Sequence, residues 1–288
     1  MGISMGIIFG LISMLGFGLG NGISQVSIKK IGTRRVIFFR SIFMSLILFI
    51  VLLFFLSETD FSPTYILITF VISLIGYIPL VTFYKALKIG KVGIISPIAS
   101  SSVIFTILFS IIFFKESLSI AQLFSILLIM LGIILISINF KDIRNSHLFK
   151  TSSGVPFALI TCVLWGLVFF LFKIPVNVLG PILTSFIVEF GNLIYSGTNL
   201  KISKIGFQLP DKRILTYIIL LAICITVGTL FYNFGIRVSN VSIIAALYSS
   251  NPLVATLYGK FVYKEKLKIQ QYFAILLILI GIVLISYF

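Results

Sequence analysis

The chain has 288 residues, of which 59% are hydrophobic and only 10% charged, with a mean hydropathy of +1.23. Because soluble proteins carry roughly 25% charged residues, this composition excludes a soluble enzyme, a nucleic-acid-binding module and a disordered tail, and it predicts an all-α integral membrane protein. The net charge of +15 comes from 22 Lys and Arg against 7 Asp and Glu, and these basic residues lie between apolar runs, where they act as topology signals.

A membrane-spanning helix needs about 20 mostly apolar residues. Ten segments of the chain meet this requirement, and their short connecting loops favour a multi-pass protein. We expect these ten spans at 4–23, 36–56, 64–84, 92–114, 119–138, 154–172, 180–198, 214–235, 241–262 and 269–287.

The chain repeats itself at a shift of 149 residues. Segment 115–137 then aligns with 264–286, and 15 of the 23 aligned residues are identical. The glycines of the two segments, Gly132 and Gly281, coincide in this alignment. We therefore predict a first five-helix repeat over 1–138, a connecting loop over 139–153 and a second five-helix repeat over 154–288.

The charges of the loops indicate how the two repeats are oriented. Five is an odd number, so the second repeat should enter the membrane inverted relative to the first. The odd-numbered loops hold 19 basic residues and the rest of the chain holds 3, so each basic loop has a base-poor partner in the other repeat. Inverted repeats are typical of transporters, and the positive-inside rule places the odd loops in the cytoplasm and both termini outside.

An ordered set of motifs resembles the EamA branch of the drug/metabolite transporter superfamily over essentially the whole chain. The motifs are Phe38-Phe39-Arg40, Tyr84-Lys-Ala-Leu87, Val92 through Pro97, and the turns at Lys115-Glu116 and Lys264-Glu265. The second repeat departs from the pattern, since this region reads Tyr232-Asn-Phe-Gly235, with Ala86-Leu87 falling on Gly235-Ile236 at the 149-residue shift. The resemblance implies a secondary transporter of small organic solutes, without identifying the cargo. It also implies cytoplasmic termini, whereas the loop charges predict the reverse, and we follow the charges.

Glu189 is the clearest candidate for a functional residue. It lies about nine residues into the seventh predicted span, near mid-membrane by the helical rise, where polar side chains are costly and usually face the bundle interior. We interpret it as a proton-coupling carboxylate or a partner for a cationic substrate group, with a structural ion pair as the alternative. Arg40 aligns with Glu189 at the 149-residue shift, so a salt bridge between them competes with simple snorkelling of Arg40 toward the membrane surface.

Small polar, amide and aromatic side chains within the spans are further candidates for substrate binding. Pro97 and Pro252 can break the fourth and ninth predicted helices and free backbone carbonyls to face a cavity, although close packing of small residues explains the same pattern. The candidates are Tyr84, Ser96, Ser100, Trp165, Asn192, Tyr232, Asn233, Tyr248, Ser249 and Asn251. The sequence has no metal-ligand cluster, nucleotide-binding loop or nucleophile–His arrangement, and we predict neither a cofactor nor a metal.

These observations predict a secondary transporter, and not an enzyme, that resides in the cell membrane. We expect it to move an amino acid or similar small metabolite by alternating access, with protons as the candidate coupling ion, and to work as a monomer or a dimer among membrane lipids. An uptake facilitator for a sugar, nucleoside or choline-like solute is the alternative. A lipid enzyme would need clustered catalytic groups near an interface, and a scaffold would need a sizeable extramembrane domain, so the sequence favours neither.

Overall fold

The computed structural model describes residues 4–56, 59–90, 95, 98–137, 153–262, 264 and 266–288. These residues form eleven helices and contain no strand, which confirms the all-α class. The helices are α1 (Met5–Ile31), α2 (Thr33–Phe54), α3 (Pro63–Ile89), α4 (Ser102–Phe114), α5 (Ile120–Ser137), α6 (Val155–Leu171), α7 (Lys173–Ile202), α8 (Lys212–Val238), α9 (Val241–Ser249), α10 (Asn251–Val262) and α11 (Ile269–Tyr287).

Most of these helices are long and apolar enough to cross a membrane. Seven segments qualify by length and composition, and Val241–Val262, which combines α9 and α10, is one of them. Three further apolar helices are shorter, at Ile98–Phe114, Ile120–Ile136 and Val155–Leu171. The protein is therefore a multi-pass membrane protein, and the count of ten spans stays a prediction.

Two of the predicted spans are not continuous straight helices in the structure. The seventh span, expected at 180–198, lies in the longer helix α7, which is kinked where Gly180 takes φ 78° and Pro181 follows it. The ninth span, expected at 241–262, is divided at Ser250, two residues before Pro252. Proline is favoured in the first turn of a helix because its missing N–H is not needed there, so each proline starts a new helical segment.

Helices α5 and α11 pack closely at their glycines. A Cβ atom added to Gly132 would lie 2.5 Å from Ile278 Cγ1, and one added to Gly281 would lie 2.7 Å from Ile129 Cγ1. Both distances are too short for real atoms, so only glycine permits this approach. Ile129 and Ile278 are 149 residues apart, and the same contact therefore occurs twice with the roles of the two halves exchanged.

A second pair of equivalent contacts joins α1 to α8 and α3 to α6. Ser13 Oγ of α1 donates to Gly228 O of α8 at 2.8 Å, and Thr161 Oγ1 of α6 donates to Pro79 O of α3 at 3.4 Å. Ser13 and Thr161 are 148 residues apart, and Pro79 and Gly228 are 149 apart. Reciprocal contacts of this kind are what a two-fold relation between the halves produces.

Two charged side chains hold the corner between α8 and α9. Glu116, in the turn before α5, accepts hydrogen bonds from Val241 N at 2.6 Å and from Ser242 N and Oγ at 3.0 and 2.6 Å. Lys173, at the start of α7, donates to Ser239 O at 3.2 Å. The carboxylate satisfies the orphan N–H groups of α9, and the ammonium lies near the C-terminal end of α8, so both charges complement the helix dipoles.

Candidate functional site

The centre of the helix bundle contains two adjacent cavities, with empty volumes of about 600 and 570 Å³. Six residues line both, and they come from helices of both halves. These shared residues are Phe17, Arg40, Leu80, Trp165, Phe169 and Ile225. We call the first the serine-side cavity, because Ser100, Ser102 and Ser249 line it, and the second the glutamate-side cavity, because Glu189 and Asn192 line it.

A buried ion pair lies where the two cavities meet. Arg40 Nη2 of α2 is 3.3 Å from Glu189 Oε2 of α7, and each residue is only 4% exposed. Arg40 Nη1 also donates to Tyr84 OH of α3 at 3.4 Å. Within the described residues, Arg40 Nε has no hydrogen-bond partner. The pair has been removed from most of its solvent, a cost of several kcal/mol per ion, of order 10 kcal/mol for the two, that their attraction must offset.

The local sequence explains why Glu189 points inward. Its segment of α7 restarts after the kink at Gly180, so Glu189 lies about two turns into a regular helix. The buried residues Ser185, Val188, Glu189, Asn192 and Ser196 recur at three- and four-residue intervals and form one stripe of the helix. Because this stripe packs against α2, α3 and α8, Glu189 faces protein.

The serine-side cavity contains most of the sequence-predicted candidates. Tyr84, Ser100, Trp165, Tyr248, Ser249 and Asn251 all line it, together with Arg40. One polar residue that the sequence analysis missed, Asn21 of α1, lines it as well. Asn21 Nδ2 donates to Asn251 Oδ1 at 3.1 Å, and Asn251 Nδ2 donates to Tyr248 O at 2.9 Å. This amide chain ties α1 to the break between α9 and α10. The sequence offers little signal for Asn21, because it lies two residues from the end of the first predicted span, and only the extension of α1 to Ile31 places it well inside a helix.

The glutamate-side cavity is less polar. Apart from Arg40 and Glu189, its polar lining consists of Asn192 and Thr229. Asn192 Oδ1 is buried and has no hydrogen-bond partner in the part of the chain that the structure describes. Aromatic rings form the shared wall, with Trp165 4.8 Å from Phe83 and Phe169 4.5 Å from Tyr248 between ring centroids.

Two predicted candidates, Tyr232 and Asn233, do not line either cavity, and a third lies outside the described residues. Tyr232 is fully buried, and its hydroxyl donates to Phe169 O at 2.9 Å. Asn233 is also fully buried, and its Nδ2 donates to Ser185 Oγ at 2.8 Å. Ser96 lies outside the described residues, as does Pro97. No group of three or more His, Cys, Asp or Glu side chains that could hold a metal occurs within the described ranges.

Comparisons with known proteins agree with this architecture. The profile of the EamA-like transporter family matches residues 4–138 and again residues 152–287. Over 135 residues, the chain is 33% identical to an uncharacterised protein of Methanocaldococcus jannaschii, a match that covers 46% of this chain and 96% of that protein. A protein solved by crystallography shares the fold with a TM-score of 0.80 at 14% identity, over 97% of this chain and 95% of the other.

Proposed function

Because this chain belongs to the EamA-like transporter family of the drug/metabolite transporter superfamily, we propose that it is a secondary carrier that moves a small organic metabolite across the cell membrane. The observation that supports this most is the Arg40–Glu189 pair, placed where two central cavities meet. Intramembrane ionisable groups that face a cavity usually mark a substrate or ion pathway.

We propose a solute of amino-acid type as the cargo. The Arg40 guanidinium binds the carboxylate of such a solute. The carbonyl oxygen of the Glu189 side chain can accept a hydrogen bond from the ammonium of the solute whether or not the carboxyl is protonated. Asn21 and Asn251 add amide groups on the serine-side cavity, and Trp165 and Phe169 supply an aromatic wall against which an apolar side chain packs.

The transport step that we propose is alternating access by rocking of the two halves. In this proposal the ten predicted spans form two inverted five-helix repeats, over 1–138 and 154–288, around a fixed central site. The reciprocal contacts of Gly132 and Gly281 support a two-fold relation between the repeats. A rocking motion would then open the site first to one side of the membrane and then to the other.

Proton coupling through Glu189 is part of the proposal. A proton taken up from water by the Glu189 carboxylate removes its negative charge, and the ion pair with Arg40 then breaks. The guanidinium is then free for the carboxylate of the solute. Protonation of Glu189 alone would leave the buried Arg40 guanidinium without a counterion, which is costly. The solute and the proton would therefore bind together, as coupled transport requires.

A binding screen tests the proposed function. The purified protein would be heated in detergent with amino acids, sugars, nucleosides or choline-like cations, and a solute that binds the native state should raise the melting temperature. We expect amino acids to do so. The matched control is the double variant Arg40→Gln/Glu189→Gln, which should fold but lose the effect. An equal rise in the double variant would contradict the assignment of the pair, and a rise only with sugars, nucleosides or choline-like cations would contradict the proposed cargo.

A further inference from the structure

Asn233 of α8 is buried, lines neither cavity and bonds Ser185 of α7, one helical turn before Glu189. It is 0% exposed, and its Oδ1 atom has no hydrogen-bond partner in the described part of the chain. A buried acceptor without a partner costs free energy and calls for an explanation. The neighbours of Asn233 supply one.

The orientation of the Asn233 amide follows from its neighbours. Ser185 Oγ of α7 donates its hydrogen to Pro181 O at 2.7 Å. Its oxygen can therefore only accept from Asn233, and Asn233 must turn its Nδ2 toward Ser185, at 2.8 Å. The carbonyl oxygen Oδ1 is then the free end of the amide, available to a donor.

Glu189 is the side chain that can supply this donor. It follows Ser185 by four residues on the same stripe of α7, so their Cβ atoms are about 6 Å apart. Helical side chains lean toward the N-terminus of their helix, which carries the Glu189 carboxyl toward Ser185 and hence toward Asn233. The structure shows Glu189 bonded to Arg40 instead, and it shows no hydrogen bond between Glu189 and Asn233.

The repeat gives a second, independent reason to pair Glu189 with Asn233. At the 149-residue shift Arg40 aligns with Glu189, and Tyr84 aligns with Asn233. Arg40 and Tyr84 are hydrogen-bonded at 3.4 Å, whereas their equivalents in the second half, Glu189 and Asn233, bond Arg40 and Ser185 instead of each other. When two halves related by a two-fold axis exchange conformations, the contact made in one half is replaced by its equivalent in the other.

We propose that Asn233 Oδ1 accepts the hydrogen bond of protonated Glu189 in the state in which Glu189 has left Arg40. Asn233 is thus a positioning residue that stabilises the neutral carboxyl. The proton comes from water and stays on the Glu189 carboxyl, one O–H···O bond to Asn233 forms, and the ion pair to Arg40 breaks. The inference rests on the proposed function, in which Glu189 exchanges Arg40 for a proton.

The other ionisable side chains on the helices around this point are engaged elsewhere. Tyr84 of α3 bonds Arg40, and the ring of Tyr77 of α3 packs at a tilted angle against that of Tyr195. On α8, Tyr232 donates to Phe169 O, and Arg237 lies against Gly180, at the kink of α7. Arg40 is the one cation that the structure places within ion-pair distance of Glu189 among the described residues.

Infrared spectroscopy of the full-length protein in lipid nanodiscs tests the inference without a substrate. The C=O stretching band of a protonated carboxyl moves to higher frequency when its O–H loses its acceptor. The Arg40→Gln variant removes the counterion of Glu189, and burial then favours the neutral carboxyl. We expect a carboxyl band in this variant that disappears in Arg40→Gln/Glu189→Gln, which assigns it.

Adding Asn233→Leu to Arg40→Gln should move this band to higher frequency. Ser185→Ala leaves the Asn233 amide in place but removes the bond that orients it, so this substitution should move the band by less than Asn233→Leu. It replaces Asn233→Leu as the test if the leucine variant does not fold. Thr184→Val, which alters a neighbouring buried hydroxyl on another face of α7, should leave the band unchanged. A band that neither Asn233→Leu nor Ser185→Ala moves would overturn the role of Asn233.

The same measurement separates this inference from the proposed function. Lowering the pH of the wild-type protein should produce the Glu189 band if Glu189 is the coupling group. Its absence down to the lowest pH at which the protein stays folded would contradict proton coupling. The comparison in the Arg40→Gln background would still decide whether Asn233 is the acceptor.

Discussion

Arg40 and Glu189 occupy equivalent positions in the two halves of the chain, 149 residues apart, and their side chains meet at 3.3 Å. A position that meets its own equivalent lies on or near the axis that relates the halves. In the proposed rocking motion, distances between the halves change least near this axis, so one site there could serve both states of the carrier.

The first prediction concerns the stability that depends on the ion pair. Glu189→Gln should lower the free energy of unfolding by about 3–5 kcal/mol, because it leaves the buried Arg40 guanidinium without its counterion. Arg40→Gln should lower it by less, because the buried Glu189 carboxyl can take up a proton and become neutral. The double variant should recover much of the loss. Thermal unfolding in detergent measures this, with Arg35→Gln as the control, at a half-buried arginine that bonds Gly206 O. Single losses that simply add in the double variant would show that the two residues do not interact.

The second prediction concerns coupling. With a solute identified by the binding screen, Glu189→Gln protein in liposomes should lose accumulation driven by a pH gradient. It should retain exchange between equal solute concentrations, because exchange needs no net movement of protons. Asp60→Asn, at an exposed acid before α3, is the control and should behave as wild type. Normal gradient-driven accumulation by Glu189→Gln would remove the coupling role.

The third prediction concerns the contact between α5 and α11. Gly132→Ala and Gly281→Ala should each destabilise the protein by about 1–3 kcal/mol, since the new methyl group meets an isoleucine of the facing helix at 2.5 or 2.7 Å. Gly206→Ala is the matched control, because nothing lies within 4 Å of its added Cβ. Melting temperatures in detergent compare the three. An unchanged melting temperature of Gly132→Ala or Gly281→Ala would argue against the close approach of α5 and α11.

The fourth prediction concerns Glu116. Its two carboxylate oxygens accept three hydrogen bonds from Val241 and Ser242, so Glu116→Gln, which keeps one acceptor oxygen and no charge, should cost about 1 kcal/mol. Asp211 caps α8 by a single bond from Ile214 N at 2.9 Å, and Asn caps as well as Asp. Asp211→Asn should therefore change the melting temperature little. Equal effects of the two substitutions would contradict the special role of Glu116.

The fifth prediction concerns orientation in the membrane. The loop charges place both termini outside and the loop 139–153 in the cytoplasm. In a variant without Cys162 and Cys224, a single cysteine after Phe288 should react with an impermeant thiol reagent in intact cells, and one replacing Asn145 should react only after lysis. The opposite labelling pattern would reverse the assignment.

The helical class, the family and the alignment of Arg40 with Glu189 could be predicted from the sequence, because hydropathy and an internal repeat are properties of the chain itself. The rotation of each helix could not. A helix that is apolar on all sides has no polar stripe to show which face is buried against protein. Tyr232 and Asn233 of α8 were therefore expected at the site, whereas they bond α6 and α7 outside both cavities.

Local breaks in the helices could not be predicted from the sequence either. The kink of α7 depends on Gly180 adopting φ 78°, and a glycine in an apolar run is equally compatible with a continuous helix. Asn21 lies among several glycines, a pattern that indicates close helix packing and gives no sign of a polar contact. Asn21 donates a hydrogen bond to Asn251, which is 230 residues away in the chain, and a contact over this separation cannot be read from the local sequence.

The unlike charges at the centre also constrain how such a protein can arise by gene duplication. A homodimer of one half, related by the same two-fold axis, would bring two copies of Arg40 or two copies of Glu189 together at this point. Two like charges at about 3 Å in a poorly solvated interior repel strongly. The pair is therefore accessible only after duplication, when the two copies accumulate mutations separately. Divergence at this one position gives a scaffold of two similar halves an ion pair at its centre.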